Sequence, residues 1–125
     1  MADELRVTAS VSYEKDNDTL AFSPDTTVIT VAGQQRAGGV QQITTTKELL
    51  VMNEILVTTQ GWAWFRNIGT DSALAIQIGI VVGGTFHDVL ELNGGEFAVS
   101  RLAGEQLYAQ AVGSTQYLEY SILET

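Results

Sequence analysis

The single histidine of the chain, His87, is followed by Asp88, and a histidine beside a carboxylate is the pair from which general base chemistry is usually assembled. The surrounding residues alternate as a strand does, so the two side chains point to opposite faces and cannot orient one another. No Gly-x-Ser-x-Gly elbow supplies a nucleophile for His87. A cupin-like metal enzyme needs several histidines where this chain has one. Asp16-Asn17-Asp18 spaces its oxygens like the opening of a calcium loop, but the glycine and glutamate that complete such a loop do not follow, so the segment reads as a solvated turn. Gly83-Gly84 and Gly94-Gly95 lack the helix or lysine of a phosphate cradle and read as turn glycines. Fifteen acidic side chains will set some pair across a cleft by chance, so the carboxylate pair of glycoside hydrolysis singles out nothing. The expectation is a non-enzymatic protein with no catalytic residues, no metal and no cofactor.

Gly61-Trp62-Ala63-Trp64-Phe65-Arg66 carries more promise for binding. Strand alternation puts Trp62, Trp64 and Arg66 on one face and Phe65 on the other. A strand apolar on both sides lies either between layers or against a second chain, and Arg66 argues that the tryptophan face is not wholly core. Trp62, Trp64 and Arg66 are therefore interface candidates; core packing of the tryptophans and a sugar-stacking platform are the other readings.

The elements that would position these residues are strands. Leu5 to Tyr13 alternates without a fault, predicting one strand with Leu5, Val7, Ala9, Val11 and Tyr13 inward. Glu14 to Asp18 is a turn, and Thr19 to Phe22 and Thr27 to Ala32 are short strands on either side of Pro24, the only proline. After a loop over Gly33 to Gly39, Val40 to Thr45 reads as an edge strand. Lys47 to Leu56 could wind as one amphipathic helix, but the flanking threonines and Asn53-Glu54 favour two short strands. From Gly61 the signal is denser: strands over Gly61 to Ile68, Ala73 to Val81, Thr85 to Leu92, Glu96 to Leu102, Gln106 to Val112 and Gln116 to Leu123, separated by turn residues. Leu74, Ile76, Ile78 and Ile80 form one predicted inward face, Phe86, Leu90 and Leu92 a second, and Leu118, Tyr120 and Ile122 a third. Asn93-Gly94 predicts a tight hairpin. Too many short strands for one open sheet imply an all-β, antiparallel two-sheet sandwich, jelly-roll-like, as a single domain over residues 1–125.

Composition narrows the partners. With 125 residues and 45% apolar side chains the chain can build a core without staples. The absence of cysteine removes disulfides, thiol nucleophiles and thiolate metal sites. A net charge of -9 opposes the phosphate neutralisation on which nucleic-acid binding depends, so no nucleic-acid partner is expected. The opening Met1-Ala2-Asp3-Glu4-Leu5-Arg6 has acids where a secretory signal is basic, and the longest apolar stretch, Ala73 to Val82, is interrupted by Gln77 and Gly79, so neither export by that route nor a membrane partner is expected.

The order of four motifs carries a resemblance. They are Gly61-Trp62-Ala63-Trp64-Phe65-Arg66-Asn67-Ile68-Gly69-Thr70-Asp71, then Ile76-Gln77-Ile78-Gly79, then Leu92-Asn93-Gly94-Gly95-Glu96-Phe97-Ala98-Val99, and last Leu118-Glu119-Tyr120-Ser121-Ile122-Leu123-Glu124. A glycine-led aromatic strand ending in an Asn-containing turn, an apolar strand, a leucine-x-glycine-glutamate hairpin and a closing leucine-glutamate-tyrosine strand together resemble small tailed-phage virion proteins. The chain departs from that pattern at Ile68-Gly69, where an aspartate-bearing turn is commoner. The resemblance implies a jelly-roll-like sandwich that assembles on the virion: a capsid cement or decoration protein made in the host cytoplasm and bound to the major capsid protein at the capsid surface, or a carbohydrate- or receptor-binding piece of a tail fibre or baseplate. With the excess of apolar strand faces it also implies a homo-oligomer, a trimer by preference. It carries no catalytic residues to transfer.

Overall fold

The computed structural model describes residues 3–31, 33, 36–52, 55 and 57–124, and the chain falls into two compact units, 1–32 and 33–125.

In the first unit β1 (Glu4–Val7) pairs antiparallel with β4 (Thr27–Thr30), and β2 (Val11–Lys15) with β3 (Asp18–Phe22). The second pair is a hairpin turning at Asp16-Asn17, where Asp16 takes a φ of 55°, a left-handed conformation that Asp tolerates better than most residues. The strand predicted from Leu5 to Tyr13 is thus broken after Val7 and resumes at Val11 with a different partner. Val11 and Tyr13, predicted inward, are exposed. Alternation reports a pleat, and it implies burial only where a second layer covers one side.

The second unit holds β5 (Arg36–Ile43), β6 (Glu48–Leu49), β7 (Gln60–Asn67), β8 (Ala75–Val82), β9 (Thr85–Asn93), β10 (Phe97–Arg101), β11 (Tyr108–Ala111) and β12 (Gln116–Glu124), with a single 3-10 turn at Val57–Thr59. They form two antiparallel four-stranded sheets, ordered β10-β7-β12-β5 and β6-β11-β8-β9. Successive strands alternate between the sheets except for β8 and β9, which gives the interleaved order of a jelly roll. The predicted antiparallel sandwich is therefore present, and it occupies 33–125. The predicted edge strand is β5, at the margin of its sheet, but it begins at Arg36, inside the stretch expected as a loop up to Gly39, and ends at Ile43. Of the two strands expected between Lys47 and Leu56, split at Asn53-Glu54, the first is β6; past the split Ile55 lies in no strand, and Asn53, Glu54 and Leu56 fall outside the described residues. No helix among the described residues is long and apolar enough to cross a membrane.

The core is filled by Phe65, Ile43, Ile76, Ile78, Leu118 and Ile122, with Tyr120 stacked on Phe65 at 6.4 Å between ring centroids. The inward faces predicted for β8 and β12 are largely these residues. The face predicted for β9 is not continuous: a register shift between Ile78 and Gly79 leaves Val89 without a partner, so Phe86, opposite Val81, lies on the other face from Leu90, opposite Ile78. Val89 is the most exposed large apolar residue of the strand.

The hairpin predicted at Asn93-Gly94 is a corner instead, because β9 and β10 belong to different sheets. The turn is closed by Glu96 N–H donating to Asn93 O at 2.9 Å, and the positive φ falls on Gly95. Gly94 is required for another reason: a Cβ there would lie 2.5 Å from Asp71 O. The two-residue hairpin of the sandwich is Gly83-Gly84, both at positive φ, joining β8 to β9. Beside the corner, buried Asn67 donates through Nδ2 to Leu92 O at 3.0 Å and Gln116 Oε1 at 2.9 Å, and its Oδ1 accepts from Gly69 N–H at 3.0 Å. Gln116 in turn donates to Ala75 O at 2.8 Å, so two amides tie both sheets together at this end.

Candidate functional site

The sheet β10-β7-β12-β5 has its inner face in the core and its outer face in solvent. Alternation along four strands places Phe97, Val99 and Arg101 of β10, Trp62, Trp64 and Arg66 of β7, Tyr117, Glu119 and Ser121 of β12, and Arg36, Gly38 and Val40 of β5 on that outer face. The register turns these into rows. Phe97, Arg66, Glu119 and Val40 run across the sheet in one row, and Val99, Trp64, Ser121 and Gly38 in the next. Arg101 stands opposite Trp62 in a third. The three interface candidates named from the sequence therefore share this face.

Trp64 is the centre of the face. It is 37% exposed, and Phe97, at 72%, is more so. On one side of Trp64 an open trough of about 360 Å³ is lined by Arg36, Gly38, Glu119 and Ser121. On the other a shallow depression of about 560 Å³ lies between Trp64, Arg66, Phe97 and Val99. The trough exists because β5 offers no side chain there. Gly38 has a φ of 135°, and a Cβ on it would lie 2.1 Å from Tyr120 O, so a glycine is required mid-strand and the surface above it stays low. Trp62 is half-buried; its indole N–H is covered and has no partner among the described residues, so packing alone holds the ring.

The electrostatics of this face oppose those of the chain. Three of the four arginines, Arg36, Arg66 and Arg101, project from it, and Glu119 is the only acid among its outward residues. Among the described residues the one ion pair is Arg6 with Glu4, so no described carboxylate pairs with any of the three guanidiniums. A protein of net charge -9 thus gathers half of its six basic side chains beside its exposed aromatics.

The inner side of the same sheet is anchored by Tyr120, whose hydroxyl faces Val51 O at 2.8 Å and Gln41 Oε1 at 2.9 Å as acceptors. Burial pushes the Tyr120 phenol above its ordinary value of 10.0. His87 and Asp88 are exposed on β9, away from this face and on opposite sides of their own strand. Asp16 and Asn17 form the hairpin turn of the first unit. Arg36, Arg101, Phe97, Val99 and Glu119 were not singled out from the sequence. They lie on three strands far apart along the chain, β5, β10 and β12, and only the register brings them into rows.

Compared with family models, curated proteins and solved structures, the chain finds no match.

Proposed function

We propose that the chain is a non-enzymatic adhesion protein of an assembled particle, a capsid cement or decoration protein of a tailed phage that binds the major capsid protein and stabilises the head by bridging capsid subunits. The observation that carries the adhesive role is the outer face of β10-β7-β12-β5, where Trp64, Phe97 and Val99 stand in solvent beside three arginines that pair with no described carboxylate. Aromatic and arginine side chains together are the composition that interfaces favour. The shallow relief of the face suits a broad contact. The motif order of the sequence supports the phage reading, and the jelly-roll order of the sheets agrees with the fold such motifs imply. Contacts that are weak singly suffice on a shell, because copies that engage together gain avidity.

The test is removal and return. Heads stripped of the protein should lose their contents at lower temperature than complete heads, and adding back the wild-type chain should restore them where Trp64→Ala does not. Stripped heads as robust as complete ones would end the cement reading. Labelling copies on the particle locates them as well: hundreds over the faces fit cement, and a few at one vertex fit the tail.

A second reading rests on the trough beside Trp64, where an indole face, Arg36, Glu119 and Ser121 converge on a space of sugar-ring size. It makes the chain a carbohydrate- or receptor-binding module of a tail fibre or baseplate. A glycan array that stays silent at millimolar ligand, with tryptophan fluorescence unmoved, removes it.

A further inference from the structure

We infer that the outer face of β10-β7-β12-β5 receives the β2–β3 hairpin of a second copy of this chain, so that copies join head to tail. The inference deepens the adhesive reading by naming a partner for the face, and it does not depend on which particle the protein serves.

The hairpin needs a cover. Val11 stands opposite Phe22 and Tyr13 opposite Leu20, so four large apolar side chains share one side of a two-stranded ribbon. All four are exposed, Leu20 at 60% and Phe22 at 58%. A two-stranded ribbon is marginal in water without a layer against its apolar side. The sandwich face supplies a matching layer. Its apolar centre, Trp64 with Phe97 and Val99, also spans two adjacent strands, and the depressions flanking Trp64 leave room for side chains entering from above.

Charge selects the pairing. Residues 1–32 carry six acidic and two basic side chains, whereas the outward residues of the sheet carry three arginines and one glutamate. Hairpin against face therefore sets an acidic unit on a basic patch. Face against face would bring the same three guanidiniums of both copies together. Hairpin against hairpin would crowd two acidic units. The favoured contact joins unlike surfaces, and such contacts generate rings when the rotation closes, in keeping with a trimer.

The experiment uses the full chain, without particles, in sedimentation velocity at micromolar concentration. Two variants are compared with wild type: a face variant, Arg36→Glu with Arg66→Glu and Arg101→Glu, and a hairpin variant, Leu20→Ser with Phe22→Ser. Wild type should sediment as an oligomer that dissociates as salt is raised, and each variant alone should sediment as a monomer. An equal mixture of the two should form heterodimers, since it contains one intact hairpin and one intact face. If the triple reversal does not fold, Arg66→Glu alone should weaken association about tenfold or more. A monomeric wild type overturns the inference, including the case in which the hairpin covers its own chain's face. So do variants that keep the oligomer, and a mixture that fails to recover, the result that a face-to-face dimer would give. Saturable binding of a fluorescent single-stranded oligonucleotide to wild type, lost in the face variant, would assign the face to nucleic acid instead. Failure of any of these leaves the head-stability test of the cement reading standing, and the reverse also holds.

Discussion

Leu20 in β3 and Leu118 in β12 are the same residue in the same kind of alternating strand, yet one is 60% exposed and the other fully buried. The difference lies in what stands across from each. Leu118 has a second sheet against it, and the two layers together remove Phe65, Ile76, Ile78 and Ile122 from water. Leu20 belongs to a two-stranded ribbon whose two strands are exposed along their whole length. The sandwich is stabilised by its own core, whereas the hairpin of the N-terminal unit leaves Val11, Tyr13, Leu20 and Phe22 exposed. That contrast suits the adhesive role proposed above: a body that does not change, and a segment whose best contacts are not yet made.

Five substitutions would break or sharpen the comparison. Leu118→Ala should destabilise by about 2–5 kcal/mol, the range for emptying a packed leucine site, read as a lower denaturant midpoint at unchanged slope. Asn67→Leu should follow at about 2–4 kcal/mol, because it strands Gln116 Oε1, Leu92 O and Gly69 N–H in the interior. A wild-type midpoint for this variant would show that the two sheets do not need their polar tie. Gly94→Val should cost about 1–3 kcal/mol, since its side chain meets the backbone of Asp71 rather than a side chain that can move. Tyr120→Phe should cost about 1 kcal/mol and change the pH profile. The folded chain favours the neutral phenol, so Tyr120 contributes fully below pH 10.0, the ordinary value, and the contribution fades as pH climbs through the raised one. Alkaline unfolding should therefore be less steep in the phenylalanine variant. Leu20→Ala, the partner of the first substitution, should shift the midpoint of a dilute sample by no more than about 0.5 kcal/mol. A shift as large as that of Leu118→Ala would erase the distinction between the two regions.

Most of the sandwich was legible in the sequence because its evidence is local. Turn residues recur between alternating runs, and six strands from Gln60 to Glu124 begin and end within two residues of where pattern alone puts them. What pattern missed was non-local. Alternation from Leu5 to Tyr13 described one continuous pleat and could not reveal that its halves take different partners. The Asn93-Gly94 signal was a true turn but did not tell a hairpin from a corner between sheets, a matter of where β10 goes next. The unpaired Val89 shifts Phe86 to the other face with no mark in composition. The candidate face was legible in part. Trp62, Trp64 and Arg66 are neighbours in sequence and were visible as such, while Arg36 and Arg101 join them only through pairings that span much of the chain.

The position of β12 between β5 and β7 has a consequence for biosynthesis. Every strand of that sheet is made before the one that must lie in its middle, and the ladder between β5 and β12 spans most of the second unit. Closure therefore waits on a contact of long sequence separation, the kind that slows folding. Until residues 116–124 emerge, the facing edges of β5 and β7 are open to any strand nearby. A nascent chain halted in that window is the species most apt to be lost to aggregation, and a chaperone that shields those edges would raise the yield of folded protein more than any change to the finished surface.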